Sequence, residues 1–267
     1  MKTKKLLTRA VSGAVYVALI VGAILCGTPG VMALAILFCI LGVIEFEKLY
    51  HALSFRRLLP IILDVIGGIC LCLCLYPVAR LMWIAVLLIR FITELYSKST
   101  TPLIDVCRSL MAQIYLGIPL GLMVMLSDFT GSSMIILLLF IFIWLNDTGA
   151  FLVGSAIGRR KLFERISPNK SWEGFFGGLC FNLILAAILC TTCAGTFSLP
   201  SYLPLWLCLA TIVTVFSTWG DLFESLLKRS LHIKDSGNLI PGHGGILDRI
   251  DSLLFVMSAA YLFFYML

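Results

Sequence analysis

The strongest chemical signal in the sequence is a polar segment that runs from residue 220 to residue 252. Asp221, Glu224, Ser225 and Lys228 are spaced as i, i+3, i+4 and i+7. On a helix this spacing places the side chains on one face. The polar stripe lies at the end of an otherwise apolar run, which predicts a binding or catalytic surface at a helix end.

A turn rich in glycine follows this stripe and Arg229. It contains Lys234–Gly237 and then the sequence Pro241–Gly245. Glycines lack a Cβ atom, so backbone N–H groups can approach a ligand closely and form an anion-binding nest. The turn therefore predicts a site for phosphate groups.

The acids on either side of the turn are suited to metal binding. Asp221 and Glu224 precede it, while Asp248 and Asp251 follow it one helical turn apart and flank Arg249. Carboxylates from two helices can converge on hard divalent cations. A metal cluster beside a phosphate site is typical of phosphoryl or nucleotidyl transfer. The alternative is a loop whose charges neutralise one another, but ion pairing requires neither the glycines nor the acidic stripe.

A second polar stretch lies upstream and supports the same chemistry. It contains Asn146–Ala150, the basic segment Gly158–Lys161 and the segment Ser167–Gly174. A nucleotide base could stack on Trp172 while its phosphates meet Lys170. For the basic segment alone, retention of positive charge on the cytoplasmic side of a membrane is the alternative explanation.

The composition requires a lipid environment. The chain has 267 residues, of which 60% are hydrophobic and 13% charged, and its mean hydropathy is +1.05. No soluble protein of this size has enough interior to hide so much apolar surface. The net charge of +6 does not indicate a nucleic-acid partner, because the basic residues form short clusters between apolar runs. The ten cysteines lie mostly in apolar runs, so we expect neither disulfides nor a structural zinc site.

Nine apolar runs predict an all-α, polytopic integral membrane protein with a cytoplasmic N-terminus. In this topology every Lys and Arg except Arg80 and Arg90 lies in a cytoplasmic segment, as the positive-inside rule expects. The first run resembles a signal peptide, but the many further spans favour an uncleaved helix. The predicted runs are residues 10–27, 31–50, 58–76, 79–97, 107–127, 132–157, 173–194, 203–228 and 249–266.

The motifs divide the chain into two regions. Residues 1–100 are predicted to form N-terminal transmembrane helices, and residues 101–267 a catalytic transmembrane region with cytoplasmic loops 158–172 and 229–248. In the first region, Arg90 and Glu94 are spaced to form an ion pair, although charge within a membrane also often marks a site. Glu45 and Glu47 are expected at a solvated interface, and Asp64 has no assigned role. Both glutamates lie beside Lys48 near the end of a predicted span.

These motifs resemble the phosphatidate cytidylyltransferase (CDP-diacylglycerol synthase) family. The family pattern has the form S-x-x-K-R, four residues, K-D, and a P-x-H-G-G-x-x-D-R-x-D ending. Upstream, Asp147–Ala150 and Ser167–Gly174 also look like the family's segments, with Asn169 at a position that is often basic. The matching residues are Ser225, Lys228, Arg229, Lys234, Asp235, Pro241, His243, Gly244, Gly245, Asp248, Arg249 and Asp251.

The resemblance implies that CTP and phosphatidic acid give CDP-diacylglycerol and pyrophosphate at the plasma membrane, facing the cytoplasm. It implies Mg²⁺, a K⁺ ion as candidate for a second metal position, and a homodimer. Asp221 and Asp248 would be the chief metal ligands, and His243 would position a phosphate. The predicted site residues are Lys228, Arg229, His243, Asp248 and Arg249 for catalysis; Asp147, Lys170, Ser171, Trp172, Ser225, Lys234, Gly244 and Gly245 for substrate binding; and Asp221, Glu224, Asp235, Asp248 and Asp251 for metal binding.

Two other functions fit parts of the sequence. A secondary transporter would have similar spans, but its charged site usually lies near the membrane midplane between repeats. Here the acids cluster with basic residues at helix ends, and no repeat is visible. A lipid kinase or another CTP-using transferase is a nearer alternative, and only the fate of the cytidine group distinguishes it.

Overall fold

The described chain is nearly all-α. The computed structural model describes residues 2–50, 58–234, 236–237, 239 and 244–267. The prediction of an all-α chain is confirmed apart from one short hairpin, β1 (Lys161–Phe163) with β2 (Ser167–Ser171), in the predicted loop 158–172. The helices are α1 (Lys2–Leu25), α2 (Gly27–Tyr50), α3 (Leu58–Cys72), α4 (Pro77–Leu95), α5 (Pro102–Ala112), α6 (Ile118–Phe129), α7 (Met134–Ile157), α8 (Trp172–Thr192), α9 (Leu203–Ser230) and α10 (Leu247–Tyr265), with a π-helical segment (Gln113–Gly117) and a 3₁₀ turn (Ala194–Phe197).

Each predicted apolar run contains a helix, and several helices suit a membrane. Within the described residues, five helical segments are long and apolar enough to cross one. Shorter apolar stretches occur in α1 and α3, whereas α4 and α10 each carry three charged residues. A membrane protein built from apolar helices is therefore supported. The five segments are α2, Pro102–Phe129, α7, α8 and α9.

The chain forms two compact units. Unit 1 contains Met1–Met125 and Asp235–Asp248, and unit 2 contains Leu126–Lys234 and Arg249–Leu267. The division predicted at residue 100 separates the part with few motifs from the part with many, and it stays a prediction.

Unit 1 holds a buried network of charged and polar side chains. Arg90, which is 1% exposed, donates to Glu94 at 2.6 Å and to Ser109 at 3.2 Å, so the predicted ion pair is present. Asp64 accepts hydrogen bonds from Ser109 and from Gln113. Charges in an apolar interior are tolerated when they are paired and hydrogen-bonded. The network links α3, α4, α5 and the π-helical segment.

Unit 2 is built around close packing of α7 on α8 and of α8 on α9. Glycines on α8 allow this approach. A Cβ atom at Gly177 would lie 2.5 Å from the Cβ of Val153, and one at Gly178 would lie 2.9 Å from the carbonyl oxygen of Asn146. The short separation positions these helices around the site described below.

All ten cysteines lie in the described part of the chain, and their thiols are free. Cys39, Cys70, Cys72 and Cys190 are buried among apolar side chains. These four behave as small hydrophobic residues, as expected for cysteine in cores.

We predict opposite effects for two glycine-to-alanine changes. Gly177→Ala should lower the free energy of unfolding by about 1–3 kcal/mol, because the new methyl group overlaps Val153. Gly22→Ala, the matched control in α1, meets no atom within 4 Å and should raise stability by about 0.5–1 kcal/mol. Thermal unfolding in detergent measures both. Equal effects of the two changes would contradict the close α7–α8 contact.

Candidate active site

Unit 2 contains a cavity of about 540 Å³. Asp147 and Phe151 line it from α7, Lys170 from β2, Phe175 from α8 and Asp221 from α9. Its volume lies within the range of small-molecule sites, which is roughly 300–1,000 Å³. The cavity combines an apolar wall with a few charged groups, as ligand sites commonly do.

The hairpin and the first turn of α8 hold Lys170 at this cavity. Ser171 caps α8, because its hydroxyl accepts a hydrogen bond from the Gly174 N–H at 3.1 Å. Glu173, in the first turn, accepts from the Arg160 N–H at 3.2 Å. These bonds tie both ends of the hairpin to the helix. Lys170 therefore enters the cavity from a fixed backbone, and the predicted binding residue Ser171 has a structural role as a cap.

Lys170 forms an ion pair with Asp221. The distance from its Nζ to Asp221 Oδ2 is 2.5 Å, and the carbonyl oxygen of Thr218 lies 3.5 Å from the same Nζ. Ser225 donates to Asp221 Oδ1 at 3.3 Å. Two predicted site residues, Lys170 and Ser225, thus contact the carboxylate of a third, Asp221.

The remaining acids of unit 2 lie beside this pair. Glu224, buried in α9, forms an ion pair with Lys228 in the next turn. At Gly220 a Cβ atom would lie 2.6 Å from the carbonyl oxygen of Asp251, so α9 and α10 are in close contact there. A side chain at Gly220 would push α10 away and carry Asp251 with it.

Electrostatic repulsion acts within this acidic group. The carboxylate of Asp251 is repelled by those of Asp221, Glu224 and Asp147. Asp147 is likewise repelled by Asp221 and attracted by Lys170. Like charges held close in a partly buried site favour the binding of a cation. We call these four acids the acidic cluster.

The acidic cluster fits a hard cation by its chemistry, since it offers only oxygen ligands. Among the described residues, however, no three Asp, Glu, His or Cys side chains converge as a ready metal-binding group. In this structure the ammonium groups of Lys170 and Lys228 pair with Asp221 and Glu224. The predicted metal site therefore stays a prediction.

In unit 1, the described part of the glycine turn surrounds Asp248. Its Oδ2 accepts from the Gly245 N–H at 3.0 Å and from the Ser236 N–H at 3.2 Å, and the Ser236 hydroxyl oxygen lies 2.9 Å from the same atom. Gly244 has a φ of +85°, a conformation that favours glycine. The backbone amides of Ser236 and Gly245 thus converge on a carboxylate of the chain itself, and the phosphate site predicted for the turn stays a prediction.

Three further basic residues predicted for the site are exposed. Arg229 is exposed, and its guanidinium donates to the carbonyl of Ile233 at 3.2 Å beyond the end of α9. Lys234 and Arg249 are also exposed, and the charge of Arg249 attracts Asp147. Asp235 and His243 lie outside the described residues.

The sequence did not point to two residues that the structure brings out, Phe175 and Glu45. Trp172 stacks on Phe176, with ring centroids 6.1 Å apart, whereas the aromatic ring of this segment that lines the cavity belongs to Phe175. Glu45, expected at a solvated interface, is 5% exposed and contacts the glycine turn. The helical spacing of the segment Trp172–Phe176 could have pointed to Phe175, but no pattern near Glu45 indicates its distant partners.

Known phosphatidate cytidylyltransferases have similar sequences. A 163-residue region is 41% identical to a phosphatidate cytidylyltransferase of Staphylococcus haemolyticus and covers 60% of each chain. A 123-residue region is 51% identical to a protein of the same name from Bacillus subtilis, covering 45% of this chain and 43% of the relative. The chain thus aligns with about half of the length of these relatives.

The model of the cytidylyltransferase family matches residues 7–267, which include all the site residues described above. The resemblance noted in the sequence motifs is thereby confirmed over the whole chain rather than over the motifs alone. The chain belongs to the cytidylyltransferase family.

Proposed function

We propose that this protein transfers the cytidylyl group of CTP to phosphatidic acid and releases pyrophosphate. The family match and the relatives named phosphatidate cytidylyltransferase support this activity. The observation that carries the proposal is the cavity in which Lys170 pairs with Asp221 beside further carboxylates. A phosphate-binding ammonium next to oxygen ligands for a cation is the arrangement that nucleotidyl transfer requires.

The reaction needs no strong base. An oxygen of the phosphatidic acid phosphate, already ionised near neutral pH, bonds to the α-phosphorus of CTP. The bond from that phosphorus to the oxygen bridging to the β-phosphorus breaks, and pyrophosphate leaves. Catalysis then depends on positioning and charge neutralisation, which the charged residues at the cavity can supply.

Lys170 has a specific part in this proposal. Its ammonium, now on Asp221, can move to the phosphate oxygens of CTP when the nucleotide enters. The carboxylate released in this way becomes available to a cation. The triphosphate would then pair with Lys170 and the cation with Asp221, so that neither side chain is left without an opposite charge. Phe175 offers an aromatic wall for the nucleotide in the same cavity.

A magnesium ion remains a proposal that the chemistry of the acidic cluster supports. Asp221 and Asp251 are the candidate ligands in unit 2, with Asp147 and Glu224 beside them. Bound Mg²⁺ would neutralise the charge that develops on the leaving pyrophosphate. The role of Asp248 as a ligand and the K⁺ ion at a second position stay predictions.

The membrane arrangement is also part of the proposal. Nine spans with a cytoplasmic N-terminus would place the charged ends of α7 and α9 at the cytoplasmic surface of the plasma membrane. Acyl chains could then remain in the bilayer while the phosphate headgroup meets CTP. The homodimer implied by the family stays a prediction.

The proposed activity predicts a labelled lipid. Purified protein given CTP labelled in the cytosine ring, phosphatidic acid and Mg²⁺ should form a chloroform-soluble product that contains the label. CTP labelled at the γ-phosphate is the matched control and should leave its label in the aqueous phase. Transfer of the γ-phosphate to lipid would instead identify a lipid kinase, and solute uptake by proteoliposomes without CTP consumption would identify a transporter.

Asp221→Asn should reduce the rate of product formation by about a hundredfold or more, because the variant loses a charge that pairs with Lys170 and is proposed to hold the cation. Asp128→Asn, at an exposed position near the end of α6, is the control and should keep the wild-type rate. Both variants must elute as folded protein. Near-normal turnover of folded Asp221→Asn would remove this residue from the mechanism.

A further inference from the structure

Glu45 is a buried acid of α2 that lies far in sequence from every predicted motif. Its side chain accepts hydrogen bonds from the Ser236 hydroxyl at 2.5 Å, the Ile246 N–H at 2.8 Å and the Leu247 N–H at 3.0 Å. All of these donors belong to the segment that enters α10, and all lie in unit 1 together with Glu45. One carboxylate therefore fixes both sides of the glycine turn.

The position of Glu45 satisfies a need of the helix that follows. The first N–H groups of a helix have no acceptor within that helix, and a negative charge near them is favourable. Glu45 supplies both the acceptor and the charge for Ile246 and Leu247, just where α10 begins. The beginning of α10 is thus attached to α2.

The glycines of the turn make room for this carboxylate. A Cβ atom at Gly237 would lie 2.9 Å from Glu45 Oε2. At Gly245 it would overlap both Glu45 Oε1 and the Ser236 hydroxyl. A methyl group at either position would therefore collide with the Glu45 carboxylate as it is placed here.

The same donors connect Glu45 to Asp248. The Ser236 hydroxyl lies 2.5 Å from Glu45 Oε1 and 2.9 Å from Asp248 Oδ2, and a hydroxyl has one proton to donate. Gly245, whose N–H donates to Asp248, is packed against Glu45. A change in the position of the Glu45 carboxylate must therefore alter the contacts that orient Asp248.

We propose that Glu45 is a positioning residue that fixes Ser236, Gly237 and Gly244–Leu247 and thereby orients the carboxylate of Asp248. Its consequence for catalysis rests on the proposed function, in which Asp248 is a candidate metal ligand. In this role Glu45 contacts neither the substrate nor the cation. Its effect reaches the reaction through the turn.

Hydrogen exchange measured by mass spectrometry tests the positioning directly and does not depend on activity. Glu45→Gln keeps the size of the side chain but removes the charge and one acceptor oxygen. The exchange of the Gly245–Leu247 amides should become about tenfold faster or more, because buried amides lose their acceptor. In the matched control, Glu47→Gln, the changed residue is equally buried but pairs with Arg108 at 3.3 Å, so these amides should exchange as in the wild type.

Activity measurements test the consequence. The Mg²⁺ concentration for half-maximal cytidylyl transfer should rise about tenfold in Glu45→Gln, because Asp248 is misoriented, and stay unchanged in Glu47→Gln. Ser236→Ala is a smaller change that removes the shared hydroxyl. It should also speed the exchange of the turn amides and raise the Mg²⁺ requirement. This variant replaces Glu45→Gln in the test if Glu45→Gln does not fold.

The outcomes separate the two proposals. Wild-type exchange of the turn in folded Glu45→Gln or Ser236→Ala would overturn the positioning role. Faster exchange with an unchanged Mg²⁺ requirement would overturn the connection to Asp248. A wild-type protein that transfers no cytidylyl group would refute the proposed function, while the exchange experiment would still decide the role of Glu45.

Discussion

The site depends on holding several negative charges close together at the ends of apolar helices. The charge of Asp251 is repelled by those of Asp147, Asp221 and Glu224, and Asp147 is also repelled by Asp221. In this structure Lys170 supplies positive charge to Asp221 from the hairpin. In the proposed mechanism this repulsion would favour the binding of a cation, and the cation would neutralise the negative charge that develops on the leaving pyrophosphate.

Small residues make this arrangement possible. Gly177 lets α8 contact α7, and Gly220 lets the backbone of α10 approach α9. In unit 1, Gly237 and Gly245 give the carboxylate of Glu45 its space against the turn. In each case a missing Cβ atom sets the distance between two backbone segments or between backbone and carboxylate, and that distance determines where the charged groups lie.

The sequence predicted the helical elements, and the position of Asp221 and Glu224 on one helix, because both depend on local spacing. Apolar runs mark the helices, and the spacing of Asp221 and Glu224 places both on α9. The hairpin, the role of Phe175 and the contacts of Glu45 were not predicted. Glu45 meets donors that are 191 to 202 positions away along the chain, and no local pattern encodes such pairs. The burial of Arg90 with Glu94 was anticipated as one of two alternatives, because their spacing along α4 is local.

We propose that the acidic cluster holds a cation against a triphosphate, and the unfolding temperature of the wild-type protein in detergent reports this binding. With Mg²⁺ and CTP together, at about a hundred times the dissociation constant, the midpoint should rise by about 5 °C or more. CTP with a chelator, or Mg²⁺ with ATP, should give a much smaller rise. An equal rise with CTP in the absence of divalent cations, or no rise with Mg²⁺ and CTP, would show that the acidic cluster does not hold a cation against the nucleotide.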